Sequence, residues 1–329
     1  MKRKVKRRLL LSALTVVVVA ASLLLATGSC QVSYLAQAMA GHLRIMHARH
    51  PIVKLLASDT LKPETREKLQ MVLDIRKYAV EELGLPESKS YTLCAEIPGE
   101  YPGWNVFCTP RFSVEPKTWC FPIAGCVVYH GYFKKERAIA FAEKMKLEGL
   151  DVYVSPFTAY STLGWFTDPI LSTNLREDSA DLAGLIIHEL AHQKVYKSGD
   201  SRFSEGFAMT VERNGVVRWL KSLGREDQAD RAIAGWADYD RRIDLMLKAR
   251  NDLDSLYRSG RDTSYLLRKK DSVLAGLQTA LELKNRKLNN AWLVPVSTYH
   301  SMISQFQAVL DSCGGDFRAF YKAATRLKQ

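Results

Sequence analysis

The stretch that decides the fold runs from Asp178 to Glu212, DSADLAGLIIHELAHQKVYKSGDSRFSEGFAMTVE. Its first half reads as one amphipathic helix, Asp178 to Tyr196. Asp178 or Ser179 supplies a capping residue, and Leu182, Leu185, Ile186 and Leu190 recur at helical spacing. A polar loop, KSGDSR, leads to a second predicted helix from about Ser204 to Leu220, closed near Gly224. Within the first helix His188 and His192 stand four residues apart. That spacing puts them about 6 Å apart on one face, so both imidazoles can reach one metal ion. Glu189, turned about 100° from His188, addresses a metal-bound water rather than the metal. Zinc carrying a water needs a third protein ligand from outside this motif. Glu205 and Glu212, seven residues apart on nearly the same face of the second helix, are the candidates.

Working outward, the chain from Tyr91 to about Trp165 is a series of short β-branched and aromatic runs: YTLCAEI, WNVFC, RFSVE, CVVYHGYF and DVYVS. A helix from Lys134 to Glu148, stopped by Gly149, interrupts them, which predicts a small mixed sheet with a helix packed on it. Before it, residues 33–58 and 62–83 carry helical periodicity, the second stopped by Gly84 and Pro86. After the active helix, residues 226–288 read as a helical hairpin turning at SGRDT, their mixed charges forming a solvated face. A helix from about Ser297 to Leu310 and a last one with Phe317, Phe320 and Tyr321 complete the chain. The expectation is an α+β fold: a helical segment over 30–90, the core carrying the His pair over 91–222, and a helical subdomain over 223–329.

The 329 residues carry a formal net charge of +12 and are 47% hydrophobic, a globular composition. Six of the positive charges lie in the first eight residues: Lys2, Arg3, Lys4, Lys6, Arg7 and Arg8. An apolar run from Leu9 to Ala26 and the small residues Thr27, Gly28 and Ser29 follow, giving the three parts of a secretory signal over residues 1–29. The small residues ahead of Cys30 resemble the lipobox of bacterial lipoproteins. That resemblance makes Cys30 the lipidation site and, with Gln31 next, points to the periplasmic side of the outer membrane. An uncleaved membrane anchor or a soluble periplasmic protein are the alternatives. In each case the folded part is exported, and no aromatic-basic stripe suggests nucleic acid as a partner.

An oxidising medium makes the remaining cysteines disulfide candidates. Cys120 and Cys126 flank the turn FPIAG, and Cys94 and Cys108 lie in neighbouring strand-like runs, so both pairs are expected, with Cys313 free. No Cys-x-x-Cys pair supports a zinc cluster.

HELAHQ followed by FSEGFA resembles the corresponding pair of motifs in zinc aminopeptidases of the alanyl aminopeptidase type, members of the gluzincins. The resemblance implies a zincin-like fold, with His188, His192 and Glu205 as zinc ligands and Glu189 as general base. Only 12 residues separate His192 from Glu205, fewer than in that family; Glu212, after 19, fits the separation better and the local motif worse. Over most of residues 30–329 the chain is similar to a secreted bacterial aminopeptidase family, through KTWCFPIAGCVVYHGYF, AYSTLGWFTDP, HELAHQ and the SEGFA helix.

A peptide substrate needs a hydrogen-bond donor facing the developing oxyanion, and Tyr160, Tyr299 and His300 are candidates. Val152 to Ser161 is the candidate edge strand for an extended peptide, with Trp165 and Phe166 as possible pocket walls. Two other functions fit the same residues: a zinc endopeptidase, or a non-catalytic envelope lipoprotein that uses the zincin fold, with the 226–288 hairpin as a docking surface.

Overall fold

Pro51 decides the first departure from the helical periodicity of residues 33–58. It lacks a backbone N–H and sits at φ −57°, ψ 126°, so the chain is extended there. Helix α1 (Gly28–His47) therefore ends before strand β1 (Arg49–Pro51), and the short α2 (Ile52–Leu56) follows. The coordinates are those of a computed structural model and describe residues 28–121, 125–162, 167–284, 286–296 and 302–327. The leader through residue 27, Trp165, Phe166, Tyr299 and His300 lie outside the described residues, as does the side chain of Cys30. The chain divides into two units, one ending at His47 with α1 and the other beginning at Ala48.

In the second unit, α3 (Pro63–Glu81) starts with Pro63 in its first turn, where the missing N–H costs nothing. The strands form two three-stranded sheets and a ribbon instead of a single sheet. In the first, β1 pairs antiparallel with β2 (Leu93–Ala95), which pairs parallel with β8 (Ile170–Leu171). In the second, β3 (Gly103–Thr109) is central, antiparallel to both β6 (Tyr129–Tyr132) and β7 (Asp151–Phe157). Helix α4 (Lys135–Leu147) contributes the buried Ala138, Ala142 and Met145. The ribbon pairs β4 (Trp119–Phe121) with β5 (Gly125–Val127), and Cys120 and Cys126 face one another across it in a disulfide.

Two expectations need correction. Cys94 and Cys108 are not bonded; both are free and buried. They belong to β2 and β3, which lie in different sheets, so adjacency in sequence does not bring the sulfurs together. RFSVE forms a turn and no strand: Ser113 N–H donates to the Pro110 carbonyl, and Val114 is buried among helical residues.

The main core is built around α5 (Ser179–Lys194) and α6 (Ser201–Ser222). Leu182, Ile186 and Leu190 of α5 share one buried cluster with Ile75 and Ala79 of α3 and Phe207 and Val211 of α6. Phe306 of α9 (Ile303–Ser312) and Phe320 of α10 (Phe317–Ala324) complete it, Phe207 stacking on Phe320 at 5.4 Å. Burying such a side chain stabilises the fold by about 1.5–3 kcal/mol each. The helical hairpin is formed by α7 (Glu226–Tyr257) and α8 (Thr263–Ala280). It turns at Gly260, whose φ of +68° suits glycine, and Asp262 caps α8 through the Tyr265 N–H. Its own core includes Leu253, Leu274 and Leu277. It is tied to β7 where the buried Lys270 meets the Asp151 carboxylate and the Arg111 carbonyl.

Candidate metal centre

The site is made by a helical hairpin. The Asp178 carboxylate accepts from the N–H groups of Ala180 and Asp181, at 2.8 and 2.9 Å, and so starts α5. Six residues, 195–200, connect α5 to α6, and Asp200 caps α6 by accepting from the Phe203 N–H at 3.0 Å. The Ser204 hydroxyl accepts from the Lys197 N–H at 3.1 Å and donates to the Asp200 carbonyl at 3.0 Å. This clamped loop begins α6 three residues before the predicted Ser204. It turns α6 back along α5, so Glu205 faces the His pair.

The facing atoms are close. His188 Nε2 and His192 Nε2 are 3.1 Å apart, and the Glu205 carboxylate lies 3.3 Å from the first and 3.6 Å from the second. Ligands held tetrahedrally at zinc distances of about 2.0–2.1 Å are about 3.3–3.4 Å from one another. The three groups therefore have the spacing of three corners of one coordination tetrahedron, and among the described residues they form a group able to hold a metal ion.

Glu212 sits on the opposite nitrogen of the first ring. His188 Nδ1–H donates to Glu212 Oε2 at 2.8 Å, which directs the Nε2 lone pair toward the site. Gly184, one turn before His188, leaves the room: a Cβ there would lie 3.1 Å from Glu212 Oε1. His192 is more deeply set, 6% exposed, and its buried Nδ1 has no hydrogen-bond partner among the described residues.

The local field favours a cation. Burial lowers the His188 pKa, but the hydrogen bonds to Glu205 and Glu212 and the charges of Glu212 and Glu189 reverse this and hold it well above 6.5. Burial raises the Glu205 carboxyl, and the two imidazoles outweigh it, bringing it down to about 2. A bound metal would take the place of the proton that this arrangement holds on His188.

Glu189 is 9% exposed, and no hydrogen bond to its carboxylate is found among the described residues. Its charge reaches Tyr91, a buried residue held at φ +62°, whose phenol is raised well above 10.0 by burial, then by Glu189 and Asp168. Tyr91 is an uncommon case of an aromatic residue in the left-handed region.

Two further tyrosines stand near the candidate ligands. The Tyr196 ring packs edge-on to His192 with centroids 6.1 Å apart and remains 50% exposed. The Tyr129 phenol, on β6, is raised by burial and by the nearby Glu205 and Tyr196. Tyr160 instead packs its ring 5.9 Å from Phe133, its phenol pushed up to about 12 by burial and then by Asp168. Tyr196 continues the four-residue spacing of His188 and His192 and was open to detection on that ground. Tyr129 and Tyr91 have no such local signal, because sheet pairing and a loop bring them in. A cavity of about 680 Å³ opens at the N-terminal end of α5, lined in part by Asp181, Trp236 and Tyr239. The Glu212 charge reaches both Asp181 and Tyr239.

No curated protein and no solved structure matches the chain. A family model described as "Putative aminopeptidase" matches residues 33–329, which include every residue of this site, and the chain belongs to that family.

Proposed function

We propose that the protein is a zinc-dependent aminopeptidase. The observation that carries the reading is the convergence of His188 Nε2, His192 Nε2 and the Glu205 carboxylate within 3.1–3.6 Å. Two imidazoles and a carboxylate form the donor set of a catalytic zinc site that keeps a position for water. A zinc ion bound there would lower the pKa of a coordinated water toward 7 and polarise the scissile carbonyl.

The chain's own residues have distinct tasks. Glu212 holds His188 by its Nδ1–H, so that ring presents Nε2 as a ligand. Glu189, buried and without a competing hydrogen bond among the described residues, takes the proton of the attacking water and delivers it to the departing amine. Tyr129 and Tyr196 are the phenols beside Glu205 and His192, and they donate to the developing oxyanion in preference to Tyr160. The leader over residues 1–29 and the Cys120–Cys126 disulfide support an exported protein, anchored through Cys30 at the outer membrane.

Replacing Glu189 by Gln tests the reading. Hydrolysis of an unblocked peptide should fall by about 10²–10⁴, while zinc remains bound one to one. Undiminished turnover would overturn the role of Glu189. Cleaving free and N-acetylated forms of the same peptide separates the exopeptidase from the endopeptidase, since equal rates exclude the former.

A further inference from the structure

Tyr91 holds a backbone conformation that its own side chain disfavours. Among the described residues other than glycine, only Tyr91 and Glu282 have a positive φ; Glu282 is exposed, whereas Tyr91, at φ +62°, is buried. Glycine would take this conformation without strain, so a bulky ring stays there only because its surroundings fix it. Those surroundings are specific. The Tyr91 N–H donates to the Asp168 carbonyl at 2.7 Å, and the carbonyl of the buried Ser90 accepts from Arg76 Nε of α3 at 3.0 Å. The same guanidinium donates to the Ser88 carbonyl, so Arg76 grips the turn at two points.

The turn is also fastened to the helix that carries the His pair. Gln193 of α5 donates through Nε2 to the Ser90 hydroxyl at 3.1 Å. Gln193 follows Glu189 by four residues, one turn further along the same helix face. Ser90 is thereby docked on the face of α5 that carries Glu189, and Tyr91 is the next residue. Tyr91 shares a buried cluster with Ile186 and Leu190, the neighbours of Glu189 on α5. Glu189 is also the charge that acts most on the Tyr91 phenol, ahead of Asp168. A phenol can donate and a carboxylate can only accept, and no hydrogen bond to either side chain is found among the described residues. Buried groups so matched satisfy one another, and hydrogen bonds to a general base tighten when substrate binds.

We propose that Tyr91 is a positioning residue for Glu189: the left-handed turn presents its phenol O–H to the Glu189 carboxylate and holds that carboxylate toward the reacting water. This rests on the peptidase reading and adds to it the residue that aims the general base. Tyr91→Phe keeps the ring and removes the donor. In the zinc-loaded full chain, kcat for an unblocked peptide should fall about tenfold or more, with KM, zinc affinity and melting temperature unchanged. In a Glu189→Gln background the same change should cost nothing further, because an effect exerted through Glu189 vanishes with it. An unchanged kcat, or an equal factor in both backgrounds, would overturn the proposal. A readout that needs no turnover separates its failure from that of the peptidase reading. With carbon-13 at Cζ of the tyrosines, the Tyr91 resonance, identified by its loss in Tyr91→Phe, should move in Glu189→Gln. A resonance that stays in place overturns the proposal even in an active enzyme. If the unaltered protein cleaves no peptide, the peptidase reading falls, and a resonance that moves still supports the contact between Tyr91 and Glu189.

Discussion

Glu212 Oε2 accepts a hydrogen bond from His188 Nδ1 at 2.8 Å, on the side of the ring away from His192 and Glu205. Glu205 and Glu212, equivalent candidates by helical spacing, thus serve the two nitrogens of one imidazole. Replacing Glu212 by Gln keeps the size of the side chain and removes its charge. Zinc affinity should fall by about 10–100-fold, as read by competition with a chelator, while the far-ultraviolet circular dichroism is unchanged. An unchanged affinity would show that Glu212 does not orient His188.

Gly184 gives a companion test with opposite effects. Alanine is the better helix former by about 1 kcal/mol, so Gly184→Ala should not weaken α5. Its Cβ would meet Glu212 Oε1 at 3.1 Å and shift that carboxylate by a few tenths of an ångström. The expected result is an unchanged or higher melting temperature with zinc affinity several-fold lower, a smaller loss than in Glu212→Gln.

The pH dependence follows from two shifts. The His188 pKa is raised, so the metal-free protein gains stability that is complete below pH 6.5 and is lost as pH rises through the raised value. The Glu205 pKa is depressed, so its contribution is present above pH 4.5 and is lost as pH falls to about 2. Zinc must displace the His188 proton, so affinity should rise with pH through neutrality. Calorimetry at pH 7 in buffers of different ionisation enthalpy should find about one proton released per zinc bound.

The free thiols should differ in reactivity. Burial and then the Glu96 charge push Cys94 to about 11, and burial outweighs Lys117 to push Cys108 to about 12. Mass-spectrometric mapping after mild alkylation of the native protein should find Cys313 modified and these two untouched, with both reacting after denaturation. Recovery of a Cys94–Cys108 crosslinked peptide would contradict their separation into two sheets.

Lys270 is the buried tie between the helical hairpin and β7, its side chain 8% exposed against 18% for Asp151. Lys270→Met leaves the Asp151 charge with the Asn290 N–H at 3.0 Å but no cation. Urea unfolding should show a loss of about 3 kcal/mol. Adding Asp151→Asn should restore part of it, because the unpaired charge is then gone.

The His pair, its helix and the hairpin turn around Gly260 were legible because each depends on residues within one or two helical turns. Capping by Asp178 and the four-residue spacing of His188 and His192 are local properties of α5. The break before Pro51 was missed because strand β1 is stabilised by β2, more than 40 residues away. The pairing of cysteines failed where separation in sequence had to stand for distance in space, and succeeded across the short β4–β5 ribbon.

The sequence by itself determined that His188 and His192 share a helix face with Glu189 beside them, since α-helical geometry fixes the spacing once that helix forms. Only the tertiary structure gave Glu205 and Glu212 different places, the first facing both Nε2 atoms and the second on Nδ1 of His188. The difference rests on how far the clamped loop at Asp200 and Ser204 carries α6 back along α5, and on the space left at Gly184. It also brought Tyr129 and Tyr91 to the site, since pairing in the sheet and a left-handed backbone turn are outcomes of long-range packing that no short sequence pattern encodes.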